Sequence, residues 1–92
     1  MIVSFKHRGL KLFYEKGTTR GLNADLVNKI REILTLLDAA RTAEALRLPQ
    51  YRLHRLKGNL SGFWAVSVSG NWRIIFRFDN EDVCDVELID YH

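Results

Sequence analysis

Phe63-Trp64-Ala65-Val66-Ser67-Val68-Ser69-Gly70-Asn71-Trp72-Arg73-Ile74-Ile75-Phe76-Arg77-Phe78 decides the architecture of this 92-residue chain. Trp64, Val66 and Val68 recur at every second position, and Trp72, Ile74, Phe76 and Phe78 do the same against Arg73, Ile75 and Arg77. A period of two marks a strand that turns one face to a core. Gly70-Asn71 sits between the two runs, and a two-residue hairpin loop needs residues that tolerate positive φ. Trp64 and Trp72 therefore read as core. Downstream, Asp79-Asn80-Glu81-Asp82 turns the chain and Val83 to Ile89 forms a further strand. Upstream, Gly58, Asn59, Ser61 and Gly62 mark a turn, preceded by the alternating Tyr51-Arg52-Leu53-His54. Four antiparallel strands in sequence order follow from this reading.

The first half of the chain changes period. Ile2 to Phe5 reads as a short strand. Gly9 to Lys16 forms a short helix with Leu10, Phe13 and Tyr14 on one face and Gly17 as its stop; His7 is a polar residue near its start. Leu26, Val27, Ile30, Ile33, Leu34 and Leu37 repeat at helical spacing, which predicts a helix to about Ala40 with Asn23 as its cap. A further helical turn falls near Ala43–Leu46, before Pro49. With no repeat or linker, residues 1–92 read as one α+β domain, helices packed on one face of an antiparallel sheet.

Composition narrows the setting. Hydrophobic residues make up 47% and charged residues 27%, a balance able to bury a core. No apolar stretch reaches the length of a membrane span, and the apolar start is too short for a signal peptide. Cys84 is the only cysteine, which excludes an internal disulfide and a cysteine zinc site and points to the cytoplasm. Residues 1–78 hold all 14 Lys and Arg against five acids, a net +9, whereas residues 79–92 hold six acids and no Lys or Arg. A cationic body of this kind suits a polyanion, because neutralising phosphates releases counterions.

Chemistry is expected where the strands point away from the core. Arg52 and His54 share a face by alternation, Arg73 and Arg77 share another, and sequential pairing would gather them on the open side of the sheet. Arg55 and Lys57 follow His54. The chain ends on Asp90-Tyr91-His92, a carboxylate, a phenol and an imidazole carried by the last strand. These groups meet the needs of metal-free RNA cleavage: a base for the 2′-hydroxyl, an acid for the leaving 5′-oxygen, and cations for the phosphoryl charge. Histidine titrates near neutrality, and arginine can hold a phosphate through two parallel bonds. The same residues also fit a solvated basic face, with His54 a surface histidine and Lys57-Gly58-Asn59 an ordinary turn. A metal site of His54, Asp90 and His92 lacks a close ligand pair.

Ser4-Phe5-Lys6-His7-Arg8-Gly9-Leu10, Glu15-Lys16-Gly17, Leu53-His54-Arg55-Leu56-Lys57-Gly58, Gly62-Phe63-Trp64, Asn71-Trp72-Arg73-Ile74 and Asp90-Tyr91-His92 together resemble the HigB branch of the RelE/ParE toxin superfamily. The likeness runs through the whole chain in order. It implies a RelE-like, microbial-RNase-type fold and a toxin of a type II toxin–antitoxin pair. Such a toxin cuts mRNA in the ribosomal A site without metal or organic cofactor. The implied partners are a HigA-like helix-turn-helix antitoxin, the bacterial ribosome with its mRNA, and operator DNA through the antitoxin complex; no membrane is implied. By the resemblance His54, Lys57, Asp90, Tyr91 and His92 fall at catalytic positions, and Arg73 with Asn71 at phosphate-binding positions. His92 is then a proton-transfer residue, with Lys57 and Arg73 as charge stabilisers. The alternative within the superfamily is a ParE-like toxin that acts on DNA gyrase and cuts no RNA.

Overall fold

A computed structural model describes residues 1–91 of the chain. The hairpin read from the sequence is its centre. Four strands, β1 (His54–Arg55), β2 (Trp64–Ser69), β3 (Trp72–Asp79) and β4 (Asp82–Asp90), pair antiparallel in chain order. Ser69 faces Trp72 across Gly70-Asn71, and Gly70 takes φ 54°, the left-handed conformation the tight turn requires. Asp79 faces Asp82 across the second hairpin, where Asn80 supplies φ 58°. The alternation then sorts the strands: Val66, Val68, Ile74, Phe76, Val83, Val86 and Leu88 enter the core, and Trp64, Trp72 and Phe78 pack half-buried against it.

Two helices cover that face. α1 (Arg8–Lys16) begins at His7, whose Nδ1 accepts the Leu10 amide at 3.1 Å, and ends at Gly17 with φ 73°. α2 (Val27–Ala39) follows a 3-10 turn, Ala24–Leu26, that Asn23 caps by accepting the Asp25 amide at 2.9 Å. Leu10 and Phe13 of α1 and Ile30, Ile33, Leu34 and Leu37 of α2 meet the sheet residues in one cluster. Burying aliphatic side chains of this size is worth about 1.5–3 kcal/mol each before chain entropy is counted. The expected helical turn at Ala43–Leu46 is present as a 3-10 turn. Among the described residues no helix is long and apolar enough to cross a membrane.

Two predicted strands differ. Ile2 to Phe5 makes only isolated parallel bridges, Ile2 to Val83 and Phe5 to Val86. The cause lies in β4, where Asp85 adopts φ 55° and bulges; its amide donates to the Ser4 hydroxyl at 2.8 Å instead of a ladder carbonyl. Tyr51 to His54 is not a strand either. Pro49 opens a 3-10 turn, Pro49–Tyr51, Arg52 sits in the left-handed region at φ 49°, and extended pairing starts only at His54. Tyr51 is buried by that turn, with its hydroxyl donating to Glu32 of α2, so the apparent alternation has a helical origin. Arg52 and His54 therefore do not share a strand face.

Candidate active site

The face of the sheet turned away from the helices is built in rows. His54, Ala65, Ile75 and Glu87 are successive cross-strand partners, and Ser67, Arg73 and Ile89 form the next row. Directly paired residues project to the same side, so each row crosses one surface. Neither helix packs on it, yet Ala65 and Ile75 are each only 2% exposed, which requires their longer neighbours to close over them. The result is a buried apolar floor beneath polar side chains, on a face that neither helix occupies.

His54 stands at the β1 end of its row. Its Nδ1 lies 2.9 Å from the Arg52 carbonyl. A carbonyl can only accept, so Nδ1 carries the hydrogen and the neutral ring keeps its free lone pair on Nε2. The left-handed turn at Arg52, missed by the strand reading, is what aims that carbonyl at the ring. Arg73 is held at the hairpin: its Nη1 donates to the Gly70 carbonyl at 2.7 Å and the Trp72 carbonyl at 3.0 Å. These contacts fix the guanidinium and leave its other N–H groups available. Asn71 accepts the Tyr91 amide through its backbone carbonyl at 2.7 Å, which ties the chain beyond β4 to the same hairpin.

The remaining predicted residues divide. Asp90 ends β4 opposite Trp72, a pair one position along from Arg73 and Ile89 and so projecting to the other side of the strand. Tyr91 is 52% exposed beside Asn71. His92, the proposed proton-transfer residue, lies outside the described residues. Lys57 lies three residues beyond His54: the Leu56 amide donates to the Phe63 carbonyl, so the chain there runs toward the end of the sheet opposite Asn71 and Tyr91. Lys57 then precedes the 3-10 turn Gly58–Leu60 as an exposed side chain. Asn71, Arg73 and Tyr91 thus share the hairpin end of the sheet, His54 stands in the middle row, and Lys57 follows beyond His54 toward the other end.

Arg77 shares the face of Arg73, as alternation predicted, but is engaged. Its Nε donates to Asp85 at 2.7 Å, and that bond strengthens its hold on the proton. Cys84, paired with Arg77, is buried, and burial pushes its thiol upward, away from nucleophilic use. Glu87 was not anticipated, although the signal was in the sequence: Val86 and Leu88 in the core place Glu87 outward on the Arg73 side. Two grooves of about 340 and 490 Å³ flank α2, lined in part by Phe13, Tyr14 and Asp38 and by Leu36, Leu48 and Tyr51. Neither includes a predicted site residue. An open row of groups on a sheet accommodates a polymer better than an enclosed small molecule.

Comparison with known proteins identifies the family and the fold. A family model described as the RelE-like toxin HigB of type II toxin–antitoxin systems matches residues 3–92. The chain is 46% identical to Endoribonuclease HigB of Proteus vulgaris over 92 residues, the full length of both. It is 34% identical to Toxin HigB-1 of Vibrio cholerae serotype O1 over 80 residues, 85% of this chain and 84% of that one. Among solved structures it resembles the YoeB–YefM complex of Staphylococcus aureus (TM-score 0.63, 20% identity, covering 100% of this chain and 98% of that one). It also resembles YafQ of Escherichia coli (TM-score 0.61, 19% identity, 96% and 91% covered). With a full-length match in sequence and RelE-like neighbours in fold, the chain belongs to the HigB-like family of RelE-like toxins from type II toxin–antitoxin systems.

Proposed function

We propose that this toxin is an endoribonuclease that cuts mRNA in the A site of the translating ribosome, by attack of the RNA's own 2′-hydroxyl. The observation that carries the reading is the placement of His54, with Nε2 free, and Arg73, with its guanidinium fixed, on the helix-free face. The name of the Proteus vulgaris relative supports the reaction class.

In this mechanism His54 Nε2 removes the proton from the 2′-hydroxyl. The 2′-oxygen bonds to phosphorus, the bond from phosphorus to the 5′-oxygen breaks, and the leaving oxygen takes a proton from His92. The products are a 2′,3′-cyclic phosphate and a free 5′-hydroxyl. Arg73 holds the phosphoryl oxygens as charge builds on them, a contribution that is large where donors are already oriented. Asn71 and the backbone bond to Tyr91 hold the tail beside this phosphate; Tyr91 offers a ring for a base, and Asp90 orients the tail. Lys57, at the far end of the sheet, suits a neighbouring phosphate of the same strand. No step calls for a metal or organic cofactor.

A site with so few acid–base groups depends on correct placement of its substrate, and the ribosome can supply that. Lys6, Arg8, Lys11, Lys16 and Arg20 are the candidates for contact with ribosomal RNA. The partner that neutralises the toxin is a HigA-like helix-turn-helix antitoxin, through which the complex reaches operator DNA; the YoeB–YefM complex is a solved toxin–antitoxin pair of related fold. The setting is the cytoplasm, where translation takes place.

The test is cleavage of a defined mRNA, free and on programmed ribosomes, mapped by primer extension. Cuts at the A-site codon only with ribosomes, abolished by a 2′-deoxy nucleotide at the cut, are expected. Folded protein that arrests growth without cutting RNA in either setting would favour the gyrase-type activity instead.

A further inference from the structure

Glu87 is a half-buried carboxylate in the middle of the open face, directly opposite Ile75. Among the described residues it forms no hydrogen bond or ion pair, and the mechanism above does not use it. Its row begins at His54, three strand spacings or about 14 Å away. Its diagonal neighbour is Arg73, whose own partner is Ile89. Diagonal residues stand about 7–8 Å apart at Cβ. The contacts to Gly70 and Trp72 draw the Arg73 guanidinium toward the hairpin, away from Glu87. Arg77, the other cation on this face, is occupied by Asp85. A carboxylate and a guanidinium thus stand on a diagonal beside half-buried Ile89, with buried Ile75 beneath them.

An ionised carboxylate accepts hydrogen bonds and donates none. It repels phosphate, so the part of a nucleotide that meets it must be neutral and carry N–H groups. A base edge lies farther from a phosphate than the 2′-hydroxyl does, and a carboxylate placed on the diagonal from Arg73 without bonding it suits the base edge. We propose that Glu87 is a specificity-determining residue that accepts a hydrogen bond from a nucleobase amino group, with the base lying on half-buried Ile89 and its phosphate on Arg73. Adenine, cytosine and guanine present an exocyclic amine; uracil presents carbonyl oxygens that the carboxylate repels. The assignment rests on the endoribonuclease reading and adds to it a preference against uracil at one position of the cut site.

The experiment is cleavage on ribosomes programmed with mRNA randomised at the A-site codon, read by sequencing of the cut ends. Wild type, Glu87→Gln, Glu87→Ala and Glu87→Asp are compared, with thermal unfolding of each. Wild type is expected to cut uracil at one position roughly tenfold less than the amine-bearing bases. The Gln amide can donate to a uracil carbonyl, so Glu87→Gln should remove that discrimination; Glu87→Ala should weaken it and Glu87→Asp should keep it. A wild-type profile with no position biased against uracil, or a Glu87→Gln profile superimposable on it, would overturn the assignment. Absence of any cut by wild type would instead overturn the endoribonuclease reading itself.

Discussion

His54 and Arg52 are joined by a hydrogen bond from the imidazole Nδ1 to the Arg52 carbonyl, 2.9 Å long and spanning a single intervening residue. The bond engages Nδ1 and leaves Nε2 as the ring nitrogen able to accept a proton. His54 is exposed and lies outside the core, so its removal should leave stability within about 0.5 kcal/mol. In single-turnover cleavage on programmed ribosomes, His54→Ala is expected to slow the reaction by roughly 10²–10⁴-fold, the range for loss of a general base. Cleavage at the wild-type rate by the folded variant would remove His54 from the proton transfer.

His7 acts on stability rather than chemistry. Its Nδ1 satisfies the Leu10 amide, one of the donors that the first turn of α1 leaves unpaired. Histidine is an uncommon cap, and asparagine or aspartate can reach the same amide with a shorter side chain. His7→Ala is expected to cost about 1 kcal/mol in urea unfolding, and His7→Asn to restore most of it. Equal stability of the Ala and Asn variants would show that the cap contributes nothing.

Gly9 and Gly21 touch through their backbones. A Cβ on Gly9 would stand 2.6 Å from the Gly21 carbonyl oxygen, and one on Gly21 would stand 2.9 Å from the Gly9 Cα. Neither obstacle is a flexible side chain, so the loop after α1 would have to move away from the helix. Gly9→Ala should therefore destabilise by about 1–3 kcal/mol, despite the better helix propensity of alanine. A melting temperature equal to or above wild type would show that the loop yields freely.

Asp38 joins three segments. Its Oδ1 accepts from the Tyr14 hydroxyl at 2.6 Å and the Ile2 amide at 3.0 Å, linking α2 to α1 and to the N-terminal segment. The Tyr14 bond, then the Ile2 amide, hold the Asp38 carboxyl below its usual range. The same bond, with burial, pushes Tyr14 up to about 12. For a depressed carboxylate the stabilisation is present above its unfolded pKa and is lost as pH falls through the lower folded value. For the raised phenol it is present below the unfolded value near 10 and lost as pH rises through about 12. Melting temperature should thus fall at both extremes. Asp38→Asn, whose amide oxygen can still accept, should flatten the acid limb. An acid limb identical to wild type would place the titration elsewhere.

Much of this was legible beforehand because the governing interactions are local. Gly70-Asn71 and the alternation around it yield the central hairpin, and the apolar stripe from Leu26 to Leu37 yields α2. What failed depended on contacts distant in sequence or on backbone conformation. Tyr51 and Leu53 imitate a strand, because periodicity cannot distinguish it from a Pro49-initiated turn followed by a left-handed Arg52. Ser4 interrupts the N-terminal pairing through a bond to Asp85, 81 residues away. Glu87 was legible as an outward residue between Val86 and Leu88, but its place opposite Ile75 and diagonal to Arg73 came only with the cross-strand pairing.

The tail separates folding from function. β4 runs through Asp90, and Tyr91 adds one backbone bond, to Asn71 at 2.7 Å, while its ring is half exposed. A single such bond is worth about 1 kcal/mol, or roughly 4–8 °C in melting temperature for a domain of this size. Removing residues 91 and 92 should therefore leave a cooperative unfolding transition lowered by no more than that. Cleavage on programmed ribosomes should be lost, because the phenol beside Asn71 and the proton donor we propose are both gone. A truncated protein that still cuts would move the acid to another residue on the sheet face. One that no longer folds would make the Tyr91–Asn71 bond a structural closure of the hairpin, and the tail's place in the reaction would then rest on Tyr91→Phe and His92→Ala, which leave the backbone bond intact.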